Sequence, residues 1–219
     1  MSDLGALVVL GAGPGVGASV ARRFGRAGHP VGLVARNAER LAGQAAELSA
    51  TGVVTATATA DVTRPDQVAA ALAALTEQLG WVQVLCISPL PDIGLIKPVT
   101  ATTPADLGTA LALNLVGPAA AVQAVLPAMQ ARRQGTVLAT TGSAALEPSA
   151  ERATSGVAYA AETAYLRMLH DALRPDGVHV GQVVVRGAVG PGLRHEPDAV
   201  ADALWCHHVE RAEPLTVLG

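Results

Sequence analysis

The chain opens with its most legible chemistry. An apolar run, Ala6 to Leu10, leads straight into Gly11-Ala12-Gly13-Pro14-Gly15-Val16-Gly17 and then into a segment of helical period. Glycines at a strand-to-helix junction let the backbone turn sharply and come close to a pyrophosphate. The helix start offers that anion free N–H groups and the positive end of its dipole. After the second apolar run, where a carboxylate would hold the ribose hydroxyl of NAD, the chain reads Val34-Ala35-Arg36-Asn37. Arg36 suits a 2′-phosphate, so NADP(H) is expected over NAD(H). Asp61, closing the third run, is either a contact near the adenine or a cap for the next helix. Cys206-His207-His208 has metal-binding residue types, but neighbours on a helix point about 100° apart and cannot converge on one ion, so no metal is expected.

These residues need elements to position them. Short β-branched runs at 6–10, 30–34, 53–59, 82–87, 136–140, 178–185 and 215–218 read as strands. Between them 15–27, 38–50, 65–79, 104–131, 156–173 and 197–208 read as helices. Asn37 precedes the second of these, and Thr103-Pro104-Ala105-Asp106 sets a hydroxyl, a proline and a carboxylate where a helix start wants them. Regular strand–helix alternation means a parallel sheet covered on both faces, here over one domain spanning 1–219. The long connections 89–104 and 147–155 follow strand ends and are expected to wall a ligand crevice.

Composition narrows the function. Half of the 219 residues are apolar, 15% are charged, the net charge is -3 and the mean hydropathy is +0.37. That balance disfavours disorder, and a sequence pI near 6.0 disfavours a nucleic-acid partner. A small-molecule substrate is the default. Aromatic residues make up 2%, so Ala, Val and Leu must fill the core. Cys86 and Cys206 lie in apolar stretches and are expected to behave as buried small hydrophobes, which fits a reducing cytoplasm. The start carries Asp3 and no basic residue, so no signal peptide is expected. The stretch Leu111 to Met129 is broken by Asn114, Pro118, Gln123 and Pro127, and no membrane span is expected.

Gly11, Gly13, Gly15 and Gly17 in the loop, Asp61-Val62, Asn114 followed by Leu115-Val116-Gly117, and Tyr159 in a helix after the fifth strand together resemble the short-chain dehydrogenase/reductase family across nearly the whole chain. The resemblance implies a three-layer, doubly wound Rossmann fold with a seven-stranded parallel sheet in the order 3-2-1-4-5-6-7. It implies NAD(P)(H)-dependent carbonyl/alcohol redox chemistry and assembly as a homodimer or homotetramer. Pro14, Val16, Asn37, Val62 and Ser88 join the glycines, Arg36 and Asp61 on the cofactor side. On the catalytic side the resemblance makes Tyr159 the proton donor, assigns a serine as carbonyl polariser, and has Asn114 help hold a water connected to the family's lysine.

Several positions depart from the family pattern. Threonine stands at 163, where the lysine four residues after the tyrosine belongs, and the only lysine in the chain is Lys97. Gly142 takes the serine's place, which leaves Ser143 one residue on as the candidate. Ile87-Ser88-Pro89-Leu90 replaces the family's Asn-Asn-Ala-Gly, and Arg186-Gly187-Ala188 replaces its Pro-Gly after strand six. The expected function is NADP(H)-dependent oxidation or reduction of a small carbonyl/alcohol substrate with an incomplete catalytic set. A non-redox acid/base enzyme on the same fold, or an inactive NADP(H)-binding regulator, are the alternatives. Glu147, Glu151, Arg152, Arg194 and His195 read as solvated loop residues, and His170 and His179 as surface or packing residues.

Overall fold

The computed structural model describes residues 4–219; Asp3, invoked above against a signal peptide, lies outside them. Seven strands form one all-parallel sheet in the order β3-β2-β1-β4-β5-β6-β7. They are β1 (Ala6–Leu10), β2 (Val31–Ala35), β3 (Thr55–Thr59), β4 (Val82–Ile87), β5 (Gly135–Gly142), β6 (Val178–Val185) and β7 (Leu215–Leu218). Every residue of β1, β4 and β6 is buried. That is the pattern of strands covered on both faces, and it explains why these runs are largely apolar without strict alternation, with Gln83, His179 and Gln182 as buried polar exceptions.

Helices α1 (Val16–Arg26), α2 (Ala38–Ala50) and α7 (Pro197–Glu210) cover one face, where Val20, Phe24, Leu41, Val200 and Leu204 are buried. On the other face lie α3 (Pro65–Leu79), α4 (Pro104–Leu111), α5 (Gly117–Arg132) and α6 (Ala153–Leu173), contributing Val68, Leu72, Val122, Met129 and Leu166. Each such side chain adds roughly 1.5–3 kcal/mol when fully buried. Phe24 is the one phenylalanine, and it is fully buried, edge-on to Trp205 of α7 at 4.9 Å between ring centres. Around it Arg22 pairs with Asp198 at 3.1 Å and Arg23 with Asp202 at 2.9 Å, so α1 is fastened to α7.

The expected caps form. Asn37 accepts from the Arg40 N–H at 2.9 Å, and Thr103 and Asp106 make a reciprocal capping box at the start of α4. The helix read from 104 to 131 is not uniform, because one π-helical turn, Ala112–Val116, separates α4 from α5. Gly117 follows this turn, and a side chain there would run into the carbonyl of Val62. The wider turn and the bare Cα let the helix lie against the loop after β3. The run Pro104–Arg132 is long and apolar enough to cross a membrane, but here it covers a sheet face with Ala121, Val122, Val125 and Met129 buried.

One residue behaves differently from its sequence reading. Cys206 is exposed, whereas Cys86 is buried in β4, where burial pushes its thiol up to about 12. The side chains of Cys206, His207 and His208 diverge as helical geometry requires. His207 is buried against Gly181 and stacks on His179, while His208 Nδ1 lies 2.9 Å from the Thr136 hydroxyl.

Candidate active site

The sheet order reverses between β1 and β4, and the candidate residues gather at the C-terminal ends of these strands. Gly11 takes φ +87°, and a Cβ there would come 2.5 Å from the Cα of Pro89. Gly17 packs the start of α1 onto Ala12 and Val9. Gly13 and Gly15 meet no such restriction: the nearest atom to a Cβ at Gly13 is 4.0 Å away, and none lies within 4 Å at Gly15. Pro14 is exposed beside them. Helix α1 begins at Val16 without a side-chain cap and without an acidic residue in its first turn. Bare backbone, open space and an uncapped helix N-terminus fit the pyrophosphate of a dinucleotide.

Arg36 is exposed after β2. Asp61 accepts from the Thr63 N–H at 3.0 Å and hydroxyl at 2.8 Å; these bonds, with the fields of Arg36 and Arg64, hold its carboxyl below the usual range. Arg36 makes no ion pair within 4.0 Å among the described residues, so its guanidinium is free for a phosphate. Asn37 caps α2, and Val62 is buried with its carbonyl against Gly117. The Ser88 N–H donates to the Leu10 carbonyl at 2.9 Å, and its hydroxyl lies 3.3 Å from that of Thr140.

Beyond the end of β4 a narrow cavity is lined by Ile96, Asn114, Thr154, Ser155 and Tyr159 among others. Asn114 sits in the π-turn, 4% exposed, and its Nδ2 donates to the Ala110 carbonyl at 2.9 Å. Burial pushes the Tyr159 hydroxyl up to about 12; the Glu162 carboxylate adds to this and Arg152 opposes it. Glu162 itself is buried without a cation beside it, and desolvation raises its pKa well above the usual value.

Thr163, four residues after Tyr159, has its own partners. Thr163 accepts from Gln182 Nε2 at 2.9 Å, and Thr141 accepts from the same amide at 2.9 Å. Lys97 does not substitute, because its ammonium is bound to both oxygens of Asp106 at 2.9 and 3.0 Å. At the end of β5 a Cβ on Gly142 would lie 3.5 Å from Cε2 of Tyr159, so the position facing the ring is bare. Ser143 begins a short turn, Ser143–Ala145, whose first carbonyl accepts from the N–H groups of Leu146 and Glu147.

Two of the loop residues read as solvated have partners: Arg186 pairs with Glu147, and His195 Nε2 lies 2.9 Å from the Arg186 carbonyl. The bonds tie the end of β6 to the segment after β5. Glu151, Arg152 and Arg194 are exposed. His179 is buried, and His170 Nδ1 lies 3.0 Å from the Val180 carbonyl. A further cavity, about 530 Å³ and lined by these two histidines with Arg174 and Arg211, is at the opposite end of β6 from Tyr159. Sequence reasoning missed Ser155, Glu162 and Gln182. Their signal was polar residues inside otherwise apolar stripes of α6 and β6.

The sequence profile of the short chain dehydrogenase family matches residues 6–197. The chain belongs to that family. A 3-dehydrosphinganine reductase of Arabidopsis thaliana is 30% identical over 86% of this chain and 56% of its own length. The dehydrogenase/reductase SDR family member 7B of Bos taurus is 36% identical over 61% of this chain and 42% of its own. The chain thus spans about half the length of these curated relatives. Among solved structures, a metagenomic short-chain oxidoreductase in complex with NADP is 27% identical, with a TM-score of 0.85 over 98% of this chain and 96% of that one. An NADPH-bound short chain oxidoreductase from Pseudomonas aeruginosa PAO1, described as containing an atypical catalytic center, has a TM-score of 0.89 over 99% and 95% at 20% identity, a likeness of fold. Strand order, helical layers and switch-point crevice are those of this short-chain dehydrogenase fold.

Proposed function

We propose that this short-chain dehydrogenase binds NADP(H) in preference to NAD(H) and reduces a small carbonyl compound, with Tyr159 as proton donor. The observation that carries the reading is the open glycine loop after β1 at the same end of the parallel sheet as Tyr159, which faces Gly142 at the end of β5 and lines a cavity with Asn114. The cofactor's place is the loop from Gly11 to Gly17 with Arg36, Asp61 and Ser88 around it. When bound, the nicotinamide supplies or accepts a hydride.

The chain's own residues do the rest. Tyr159 is protonated at neutral pH and gives its proton to the carbonyl oxygen as negative charge develops there. Asn114, held by the Ala110 carbonyl, shapes the floor behind it. No lysine stands at 163 to steady a phenolate, so reduction is favoured over oxidation and both are slow by the standard of a complete site. The paired Thr163 and Gln182 favour one second reading, a site that binds NADP(H) without turning it over.

Exposed Val116 and Val157, together with Ala124, lie on the outer sides of α5, its π-turn and α6, and suit a symmetric contact in a homodimer or homotetramer. The chain is read as one domain of the reducing cytoplasm. Stoichiometric NADPH oxidation against a panel of small ketones and aldehydes tests the activity. NADPH binding without any turnover would support the second reading.

A further inference from the structure

We propose that the hydroxyl polarising the substrate carbonyl is supplied by Ser155, one helical turn before Tyr159 on the same face of α6, and not by Ser143 after β5. The inference deepens the carbonyl reduction proposed above and rests on it.

Ser155 and Tyr159 are four residues apart in one helix, so their side chains leave α6 on one side. Helical side chains lean toward the N-terminus, which brings the Tyr159 ring over the turn that carries Ser155. Both line the same cavity, with Asn114. Ser155 is 7% exposed, and its hydroxyl makes no hydrogen bond among the described residues. A serine inside a helix ordinarily bonds back to the carbonyl four residues earlier. Here that residue is Glu151, in the short turn Ala150–Arg152 ahead of the helix, and the bond is not made. The hydroxyl is uncommitted at the wall of the cavity and is free to donate to a ligand oxygen placed there.

The neighbouring hydroxyls are already engaged. Thr154 donates to the Leu95 carbonyl at 2.8 Å, Thr140 lies against Ser88, and Thr141 accepts from Gln182. Ser143 does not line the cavity, and the position that does face the Tyr159 ring, Gly142, carries no side chain. Ser155 also lies in the first turn of α6, where the helix dipole and the adjoining Arg152 favour negative charge. The balance is that of carbonyl reduction. The carbonyl carbon gains the hydride that oxidises NADPH to NADP⁺, and its π pair becomes the oxygen lone pair that takes the Tyr159 proton. Water returns that proton to Tyr159. Ser155 keeps its own proton and donates a hydrogen bond to the same oxygen throughout.

The test compares Ser155→Ala, Ser155→Thr and Ser143→Ala in the full chain. Readouts are kcat and KM for NADPH-dependent reduction of the ketone panel, NADPH affinity by calorimetry, and Tm. Removing one donor to a developing oxyanion costs about 10²–10³ in kcat. Ser155→Ala should show a loss of that order with NADPH affinity and Tm unchanged, and Ser155→Thr should recover part of it. A purely packing role would move Tm and leave the kcat-to-KM split alone. Ser155→Ala within threefold of wild type, with the large loss in Ser143→Ala, would overturn the assignment. A second readout covers a wild type that turns over nothing: calorimetry with isobutyramide, an unreactive amide whose carbonyl oxygen stands in for a ketone's, on the NADPH complex. Binding weakened about tenfold by Ser155→Ala keeps the hydroxyl assignment while the reductase reading fails. Binding indifferent to Ser155, or absent in the wild type, overturns it.

Discussion

Gln182 on β6 donates to the hydroxyl of Thr163 on α6 at 2.9 Å, one helical turn beyond Tyr159. Gln182 is 2% exposed and divides its amide hydrogens between Thr163 and Thr141. The threonine is therefore part of a satisfied buried network joining helix to sheet. Thr163→Val removes one acceptor and strands a buried N–H, which should cost roughly 1–2 kcal/mol. A urea titration of both proteins measures it, and equal midpoints would mean that the bond contributes nothing.

The Tyr159 hydroxyl, pushed up to about 12 mainly by burial and then by Glu162, sets a pH dependence. Phenolate is scarce until the pH approaches that value, so any NADP⁺-dependent alcohol oxidation should still be rising with pH at 10. Carbonyl reduction uses the protonated form and should be insensitive to this group between pH 6 and 9. An oxidation rate that levels off near pH 7 would contradict the assignment. Tyr159→Phe should abolish whatever reduction is measured.

Cofactor choice rests on Arg36, exposed and free of any ion pair among the described residues. A charge-assisted bond to a 2′-phosphate contributes roughly 1.5–3 kcal/mol, so Arg36→Ala should weaken NADPH at least tenfold while leaving NADH nearly unchanged. Calorimetry with both nucleotides decides it. Equal affinity for the two in the wild type would remove the basis for the preference.

Four histidines pack inside the fold with lowered pKa values. His179 and His208 are brought to about 4, chiefly by burial and then by neighbouring histidines and Arg211, and His29 and His207 are lowered chiefly by burial. Each binds a proton more readily when unfolded, near 6.5, than when folded. Their contribution to stability is thus fully present above pH 6.5 and is lost as the pH falls toward 4. The thermal midpoint should drop steadily over that window, and a midpoint unchanged from pH 7 to pH 5 would show that these rings titrate normally.

The layers of this fold were legible because the strands buried on both faces read as short runs dominated by Val, Leu and Ile, and because Asn37 and Thr103 mark helix starts with chemistry that has one use. The glycine loop was legible for a related reason: Gly11 is required by a left-handed backbone and a contact with Pro89 that no other residue satisfies, and Gly17 by tight packing on Ala12. The polar interior of α6 was not. Ser155 and Glu162 interrupt an apolar stripe, and periodicity treats such residues as noise. The π-turn at Asn114 was hidden as well, since one extra residue in a helical turn leaves no mark on composition. Cys206 misled because Trp205 and His207 are its neighbours in sequence yet point elsewhere on the helix.

The fastening of α1 to α7 has a consequence for the two ends of the chain. The helix whose N-terminus closes the glycine loop shares Phe24, Arg22 and Arg23 with Trp205, Asp198 and Asp202, some 180 residues downstream. Opening of either helix exposes the other's packing, so the two should exchange their amide hydrogens as one cooperative unit. A nucleotide seated at Gly13 and Gly15 would then slow exchange across 197–210 as well as in its own cradle, and trimming the last helix would be felt first as a loss of nucleotide affinity.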